Sequence, residues 1–166
     1  MTAAVVTVSD TRRPDSDASG TRLAELLAEL GATVAERSIV TDEREEITAK
    51  LRAILSSYDI DLIMTTGGTG FAPRDNTPEA TRAVIEREAP GIAEAMRRET
   101  AANTPMAMLS RGVAGISGRT LIINLPGSPK AVEECFDVIR PVLAHAVNLL
   151  RGDTRHGRES EKNHDN

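Results

Sequence analysis

The sequence is poor in aromatic residues. They make up 2% of its 166 residues, with no Trp, one Tyr and two Phe. The chain therefore lacks the stacking platforms that nucleic-acid-binding proteins offer to bases, and its formal net charge of -5 disfavours a phosphate-coating surface. We expect no nucleic-acid partner. Since hydrophobic residues still make up 40% of the chain, the core must be aliphatic.

Cysteine and histidine are also scarce. The single cysteine, Cys135, excludes an intramolecular disulfide framework, and the spacing of "AVEECFDVIR" predicts a buried helix position rather than a nucleophile. Among the three histidines, His145 lies in a Val- and Leu-rich helical pattern, whereas His156 and His164 lie in a polar tail. Without an HExxH, G-x-S-x-G or Cys/His metal motif, a hydrolase that needs a histidine base is disfavoured.

The sequence shows no targeting or membrane-spanning pattern. The start, "MTAAVVTVSD", has no basic region, and its apolar run is shorter than that of a signal peptide. No apolar run approaches the about 20 residues that a membrane-spanning helix needs. Together with the single cysteine, this predicts a soluble, cytoplasmic protein with no membrane partner.

Apolar runs alternate with helical patterns along most of the chain. The runs "AAVVTV", "TVAERSIV", "DLIMTT" and "TLIINL" are typical of strands, and "TRLAELLAEL" is typical of an amphipathic helix. This alternation predicts one three-layer α/β domain over residues 1–152, with a mainly parallel sheet and helices on both faces. Residues 153–166 are polar and predict a disordered tail.

Local signals predict where several elements begin. Residues 11–20 are rich in Pro, Asp, Ser and Gly, which indicates an exposed, mobile loop. Asp42 and Glu45 resemble a capping box, and spacing alone favours a helix cap as the role of Asp42. Thr77 is predicted to cap a later helix, and Pro141 is expected to kink or split the last one.

Three predicted strands end in loops rich in glycine or polar residues. These loops read "VSD", "TTGGTG" and "NLPGSPK". Because each loop follows a strand of a parallel sheet, we expect the three loops to meet at one edge. Ligands bind outside the carboxyl ends of such strands, so this edge is the candidate site.

The stretch "TTGGTGFAPRDNTPEAT", residues 65–81, carries the densest chemical signal. Glycines at a strand end permit positive φ, and successive N–H groups beside a helix start form an anion-binding nest. The pattern is neither the dinucleotide fingerprint nor the P-loop, so a plain tight turn stays open from the glycines alone. Arg74 is suited to pair with a phosphate, and Asp75 to hold a divalent cation or its water.

The later loop "NLPGSPK" repeats this logic. Gly127 permits close backbone approach, Ser128 begins a helix, and Lys130 offers a point charge, although a solvated first-turn lysine is the alternative. Ser110 and Arg111 add a hydroxyl and a guanidinium. Two such loops in an acidic protein predict a polyanionic ligand whose negative charge is balanced by local hydrogen-bond donors and a metal. Phosphoryl or nucleotidyl transfer needs no histidine base, because a phosphate nucleophile is already anionic.

The stretches "TTGGTGFAPRDNTPEAT" and "LSRGVAGISGRTLIINLPGSPKAV", with the early "VSD", Asp17 and Ser19-Gly20, resemble molybdenum-cofactor biosynthesis proteins of the Mog/MoaB type. They are also similar to the G domain of gephyrin. The resemblance covers about residues 3–151. It implies a molybdopterin adenylyltransferase that uses ATP and Mg²⁺ to attach AMP to the terminal phosphate of molybdopterin. It also implies the compact molybdopterin-binding fold, a homotrimer, and a molybdate-inserting enzyme as a further partner.

The resemblance also implies roles for individual residues. Asp42 and Asp75 correspond to the catalytic and metal-binding carboxylates, although Thr41 stands where the family commonly has Pro. A non-catalytic protein that binds or carries molybdopterin is the alternative, since some relatives lack the transfer activity. The residues predicted to bind substrate or nucleotide are Ser9, Asp10, Gly67, Gly68, Thr69, Gly70, Arg74, Ser110, Asn124, Pro126, Gly127, Ser128 and Lys130.

Overall fold

The computed structural model describes residues 1–57 and 59–153, which form strands and helices in alternation. In chain order the elements are β1 (Thr2–Val8), α1 (Ala18–Glu29), β2 (Thr33–Val40), α2 (Arg44–Ser57), β3 (Leu62–Thr66), α3 (Thr77–Arg82), β4 (Arg87–Glu88), α4 (Pro90–Thr100), a 3₁₀ helix (Pro105–Leu109), β5 (Ala114–Ser117), β6 (Thr120–Leu125) and α5 (Pro129–Leu150).

The strands form one six-stranded sheet in the order β2-β1-β3-β6-β5-β4. The first four strands are parallel, and β5 and β4 add an antiparallel edge. β3 and β6 are buried along their whole length, because apolar, β-branched strands of a parallel sheet are covered on both faces. The predicted α/β class with a mainly parallel sheet is confirmed.

Alternate residues of β1 serve two separate cores. Ala3 and Val5 pack with residues of α1, α4 and α5 on one face of the sheet. Ala4 and Val6 pack with residues of α2 and α3 on the other face. This arrangement gives the three predicted layers. Within the described ranges, no helix is long and apolar enough to cross a membrane.

Residues 11–20 differ from the prediction at their end, where Asp17 and the first turn of α1 are packed. Asp17 is only 5% exposed, and its carboxylate accepts hydrogen bonds from the Gly20 N–H at 2.9 Å and from the Thr7 hydroxyl at 2.7 Å. Ser19 is also buried. Polar groups satisfy one another around Asp17, so these polar residues are buried although most of residues 11–16 are exposed, as predicted.

The predicted capping box of Asp42 and Glu45 is wrong. The Asp42 carboxylate accepts the Asp10 N–H at 2.9 Å, and α2 begins only at Arg44. The local turn is closed instead by Thr41, whose hydroxyl donates to the Glu46 carboxylate at 2.6 Å. Since Thr41 satisfies the turn, the Asp42 carboxylate is available to the neighbouring loops.

Other element boundaries also differ from their predictions. Thr77 is the first residue of α3 rather than its cap, and its hydroxyl donates to the Gly67 carbonyl at 2.9 Å. α5 runs without interruption through Pro141, so the predicted split is wrong. Of the predicted tail, only Asp153 falls within the described residues, and residues 154–166 lie outside them.

The end of α5 is joined to the start of the sheet. Arg151 donates two hydrogen bonds of 2.6 Å to the carboxylate of the buried Asp61, which also accepts the Thr2 N–H at 2.6 Å. Burial opposes ionisation, but these hydrogen bonds hold the pKa of Asp61 below its ordinary value. The packed unit therefore extends at least to Arg151.

Cys135 and His145 lie where their helical spacing predicts. Cys135 is buried, and burial raises the pKa of its thiol to about 11, so the thiol stays protonated near neutral pH. His145 is exposed on α5. Neither residue has the surroundings of an activated nucleophile or base.

Candidate functional site

The loops after β1, β3 and β6 meet at one edge of the sheet, as predicted. These three strands are parallel neighbours, so their carboxyl ends lie side by side. The Gly67 N–H donates to the Leu125 carbonyl at 3.1 Å, and the Thr66 hydroxyl donates to the Pro126 carbonyl at 2.7 Å. A Cβ added at Gly127 would lie 3.3 Å from the Gly67 Cα. The two glycine-rich loops therefore touch.

We call residues Gly67–Gly70 the glycine loop. Its first two residues have a left-handed backbone that favours glycine. Gly67 and Gly68 have φ values of 98° and 66°. A Cβ at Gly67 would lie 2.4 Å from the Val8 carbonyl oxygen, and one at Gly68 would lie 2.4 Å from the Thr77 hydroxyl oxygen. Positive φ and close approach together explain why glycines follow this strand.

The glycine loop presents unpaired backbone donors. Within the described part of the chain, the N–H groups of Gly68, Thr69, Gly70 and Phe71 have no hydrogen-bond acceptor. Neighbouring free N–H groups beside the start of α3 form the kind of concave surface that binds phosphate. The backbone therefore favours the anion-binding interpretation over a plain tight turn.

Asp10 and Asp42 form a reciprocal pair beside this loop. The Asp10 carboxylate accepts the Asp42 N–H at 3.0 Å, which mirrors the bond from the Asp10 N–H to Asp42. Asp42 Oδ1 lies 3.4 Å from where a Cβ of Gly68 would be. Burial, together with repulsion from Asp10 and Asp75, raises the pKa of Asp42. A carboxylate in this setting is stabilised by a cation.

Asp75 borders the other end of the glycine loop. Its Oδ2 accepts the Ala72 N–H at 2.8 Å and lies 2.9 Å from where a Cβ of Gly70 would be. The structure thus brings Asp42 and Asp75 to the same loop, one near Gly68 and one near Gly70. Both predicted carboxylates border the free N–H groups.

The donor set suits a hard cation that retains other ligands. Among residues 1–57 and 59–153, no group of three or more His, Cys, Asp or Glu side chains could enclose a metal ion. Mg²⁺ is commonly bound through one or two carboxylates, with phosphate oxygens and waters completing its shell. Asp42 and Asp75 beside the free N–H groups of the glycine loop fit that requirement.

Arg74 has a local role that the sequence analysis did not predict. Its guanidinium donates two hydrogen bonds to Asp10, at 2.7 and 3.0 Å, and one to Glu43 at 2.8 Å. The hydrogen bonds from Arg74 hold the pKa of Asp10 below its ordinary value. Arg74 therefore joins three loops, and its charge is already shared between two carboxylates.

Asn124 is buried and serves the fold rather than offering a free amide. Its side-chain NH₂ donates to the hydroxyls of Thr65 at 3.0 Å and Thr81 at 2.9 Å, and its Oδ1 accepts the Val113 N–H at 3.2 Å. Asn124, which is predicted to bind substrate or nucleotide, also lines the mostly apolar cavity beside the glycine loop, although its amide already has protein partners. It locks β6 to β3 and α3 beneath the site.

The loop after β6 contributes backbone more than charge. Ser128 caps α5 by accepting the Ala131 N–H at 3.2 Å, as predicted. The Lys130 side chain is 86% exposed, and its ammonium lies 3.8 Å from the Glu134 carboxylate. Lys130 therefore matches the alternative of a solvated first-turn residue, which leaves Gly127 as the part of this loop that contacts the glycine loop.

One cavity borders the glycine loop, and another borders the loop after β1. One, of about 320 Å³, is mostly apolar; its lining includes Thr69, Gly70, Met96, Met106, Ser110, Pro126 and Cys135. Another, of about 620 Å³, is more polar; its lining includes Ser9, Asp10, Arg12, Arg13, Arg37 and Thr41. The mostly apolar cavity reaches the glycine loop at Thr69 and Gly70, and the more polar one reaches Asp10, which pairs with Asp42.

Comparison with known proteins identifies the family. The profile of the family described as "probable molybdopterin binding domain" matches residues 4–145. The chain belongs to this family.

The relatives include proteins that consist mostly of the matched region and longer proteins of which it is only a part. Molybdopterin adenylyltransferase of Helicobacter pylori is 43% identical over 139 residues, which span 82% of this chain and 79% of that protein. The molybdenum cofactor synthesis protein cinnamon of Drosophila melanogaster is 47% identical over 156 residues, which span 92% of this chain but 26% of the fly protein. The chain therefore corresponds to about a quarter of cinnamon.

The crystal structure of the molybdopterin biosynthesis enzyme MoaB from Thermus thermophilus superposes with a TM-score of 0.84 at 47% identity. The match covers 91% of this chain and 96% of that one. The resemblance predicted from the three sequence stretches is confirmed.

Arg12 is a residue of this molybdopterin-binding domain that sequence reasoning did not place in the site. Its guanidinium donates to the Ser19 hydroxyl and, at 2.7 Å, to the Gly127 carbonyl, and it lies 3.6 Å from the Asp17 carboxylate. It therefore ties the loop after β1 to the loop after β6. The only signal in the sequence was its position between "VSD" and Ser19-Gly20.

Proposed function

We propose that this chain transfers AMP from ATP to the terminal phosphate of molybdopterin in a Mg²⁺-dependent reaction, giving adenylylated molybdopterin and pyrophosphate. The observation that carries the proposal is the glycine loop, whose free N–H groups lie between Asp42 and Asp75. The names of the relatives from Helicobacter pylori and Thermus thermophilus agree with it. Residues 1–152 are the proposed functional unit.

The bond changes of this reaction need little acid–base chemistry. An oxygen of the terminal phosphate of molybdopterin attacks the α-phosphorus of ATP, and the bond to the bridging oxygen of the β-phosphate breaks, releasing pyrophosphate. The attacking oxygen is already anionic, so positioning and charge stabilisation carry most of the rate. This agrees with the scarcity of histidine in the chain.

The residues of the site divide that work between them. The N–H groups of Gly68, Thr69 and Gly70 bind and orient a phosphate group. Asp42 and Asp75 hold Mg²⁺, which when bound offsets the negative charge of the phosphates. Asp10 and Arg74 fix the loop that carries Asp42, because Asp10 accepts the Asp42 N–H and Arg74 donates to Glu43 next to it.

Pyrophosphate release tests the proposal directly. Purified protein incubated with molybdopterin, ATP and Mg²⁺ is expected to form adenylylated pterin and one equivalent of pyrophosphate, and chelation of Mg²⁺ is expected to stop both. The control omits molybdopterin, so that plain ATP hydrolysis is measured separately. Pterin binding without pyrophosphate release would replace this proposal with the alternative of a non-catalytic carrier.

We further propose that the protein is a cytoplasmic homotrimer that passes its product to a molybdate-inserting enzyme. Exposed apolar side chains support an association surface, since Phe71, Met106 and Met108 are more than half exposed and the first two line the smaller cavity. Sedimentation at micromolar concentration is expected to give the mass of three chains. A monomer under those conditions would remove the trimer, and the transfer assay would remain a separate test.

A further inference from the structure

Arg111 binds the segment that carries the glycine loop and Asp75 at several points. Its backbone N–H donates to the Thr69 carbonyl at 2.8 Å, and its Nε donates to the Gly70 carbonyl at 2.8 Å. Its Nη2 donates to the Asp75 carbonyl at 2.5 Å. One residue from the stretch before β5 thus holds three carbonyl oxygens from the segment that follows β3.

The direction of these carbonyls decides the direction of the free donors. In a planar trans peptide, a carbonyl and the N–H that follows it point to opposite sides. Holding the Thr69 carbonyl toward Arg111 therefore turns the Gly70 N–H away from it, and holding the Gly70 carbonyl does the same for the Phe71 N–H. These two N–H groups are among those without an acceptor in the described structure.

The charge of Arg111 is balanced within the fold. Its guanidinium forms an ion pair with the Glu79 carboxylate on α3. Although burial opposes ionisation, the hydrogen bond from Arg111 holds the pKa of Glu79 below its ordinary value. Since both terminal nitrogens and Nε already have acceptors, Arg111 is committed to protein atoms rather than to a ligand.

We propose that Arg111 is a positioning residue that holds the backbone of the glycine loop and of Asp75 in the orientation that binds phosphate. The inference rests on the proposed function, because it concerns the same anion site. Arg111 does not touch the reacting atoms: its side chain acts through the carbonyls of Gly70 and Asp75, whereas its backbone N–H holds that of Thr69 whatever the side chain. Lysine cannot replace it, because one ammonium cannot span two carbonyls and a carboxylate with fixed geometry.

The test compares Arg111→Lys with Arg119→Lys, which changes an exposed arginine paired with Asp59 outside the site. Residue-resolved amide exchange on the free protein should show Ala72, Asp75 and Thr77 exchanging about ten- to a hundredfold faster in Arg111→Lys, because their hydrogen bonds depend on the held backbone. Calorimetry with inorganic pyrophosphate and Mg²⁺ should show affinity weakened about tenfold or more. The Arg119 variant should change neither.

Each other outcome overturns the proposal. Weaker pyrophosphate binding with unchanged exchange would mean that Arg111 contacts the anion directly. Faster exchange with unchanged binding, or no change in either, would mean that the bonds of Arg111 do not orient the donors. If pyrophosphate does not bind the unmodified protein, the glycine loop is not an anion site that Arg111 could orient. If Arg111→Lys does not fold, Glu79→Gln takes its place, with the same changes expected at smaller size. None of these readouts requires turnover, so an unmodified protein that binds pyrophosphate but transfers no AMP would remove the proposed function alone.

Discussion

Replacing Asp75 with Asn is expected to lower the rate of AMP transfer by about a hundred- to a thousandfold, because the loss removes several kcal/mol of charge stabilisation at the metal. The amide has the shape of the carboxylate, and its oxygen can still accept the Ala72 N–H, which lies 2.8 Å from Asp75 Oδ2. The local fold therefore stays intact. What is lost is the negative charge beside Gly70 that holds the cation.

The dependence on Mg²⁺ distinguishes this role from a general loss of activity. In Asp75→Asn, the Mg²⁺ concentration that gives half the maximal rate should rise, while pyrophosphate release at saturating Mg²⁺ recovers only in part. Asp59→Asn is the matched control, because it removes an exposed carboxylate paired with Arg119 and lies outside the site. If Asp75→Asn turns over as fast as the unmodified protein, the role assigned to this carboxylate is wrong.

The position of the site could be predicted because it follows from chain-wide patterns. Apolar strands that end in "VSD", "TTGGTG" and "NLPGSPK" place those loops at the carboxyl edge of any parallel sheet. The structure adds the detail that Gly67 and Gly127 touch. The alternation of strands and helices and the meeting of these loops could therefore be predicted without knowledge of individual contacts.

The partners of individual polar residues could not be predicted, because they come from distant parts of the chain. Arg74 binds Asp10, which lies 64 positions earlier. Asn124 stands at the end of an apolar strand, where it resembles a loop residue, and only its contacts with Thr65 and Thr81 show that it is buried. Periodicity reports which face of an element is covered, but not which side chain covers it.

Asp42 shows how local spacing can mislead. Asp42 and Glu45 have the spacing of a capping box, yet Thr41 and Glu46 close that turn. The structure places the Asp42 carboxylate beside the Asp10 N–H and Gly68 rather than at a helix cap. A capping motif satisfies backbone donors in more than one way, and the choice depends on what lies nearby, here the Asp10 N–H.

Replacing Gly67 with Ala is expected to lower the free energy of unfolding by about 2–5 kcal/mol. Part of this cost is the left-handed backbone, which costs a non-glycine residue about 1–2 kcal/mol. The rest is crowding, because the new Cβ would lie 2.4 Å from the Val8 carbonyl oxygen, and overpacking typically costs about 1–3 kcal/mol. Denaturant unfolding monitored by circular dichroism measures the sum.

Two other glycines separate these contributions. Gly31 and Gly118 have φ values of 84° and 56°, and a Cβ at either would meet no atom within 4 Å. Gly31→Ala and Gly118→Ala should therefore cost only the backbone part, about 1–2 kcal/mol. If Gly67→Ala costs no more than these two variants, crowding of the new Cβ against the Val8 carbonyl does not lower the free energy of unfolding.

The same substitution should reduce activity by more than its effect on stability explains. Relief of the contact with Val8 requires the backbone at Gly67 to move, and the N–H groups of Gly68 and Gly70 move with it. At a temperature where Gly67→Ala is fully folded, we expect weaker pyrophosphate binding and slower AMP transfer, whereas folded Gly31→Ala should match the unmodified protein. Normal transfer by the folded Gly67 variant would show that the loop tolerates displacement. Phosphate binding would then have to depend on side chains rather than on the orientation of backbone donors.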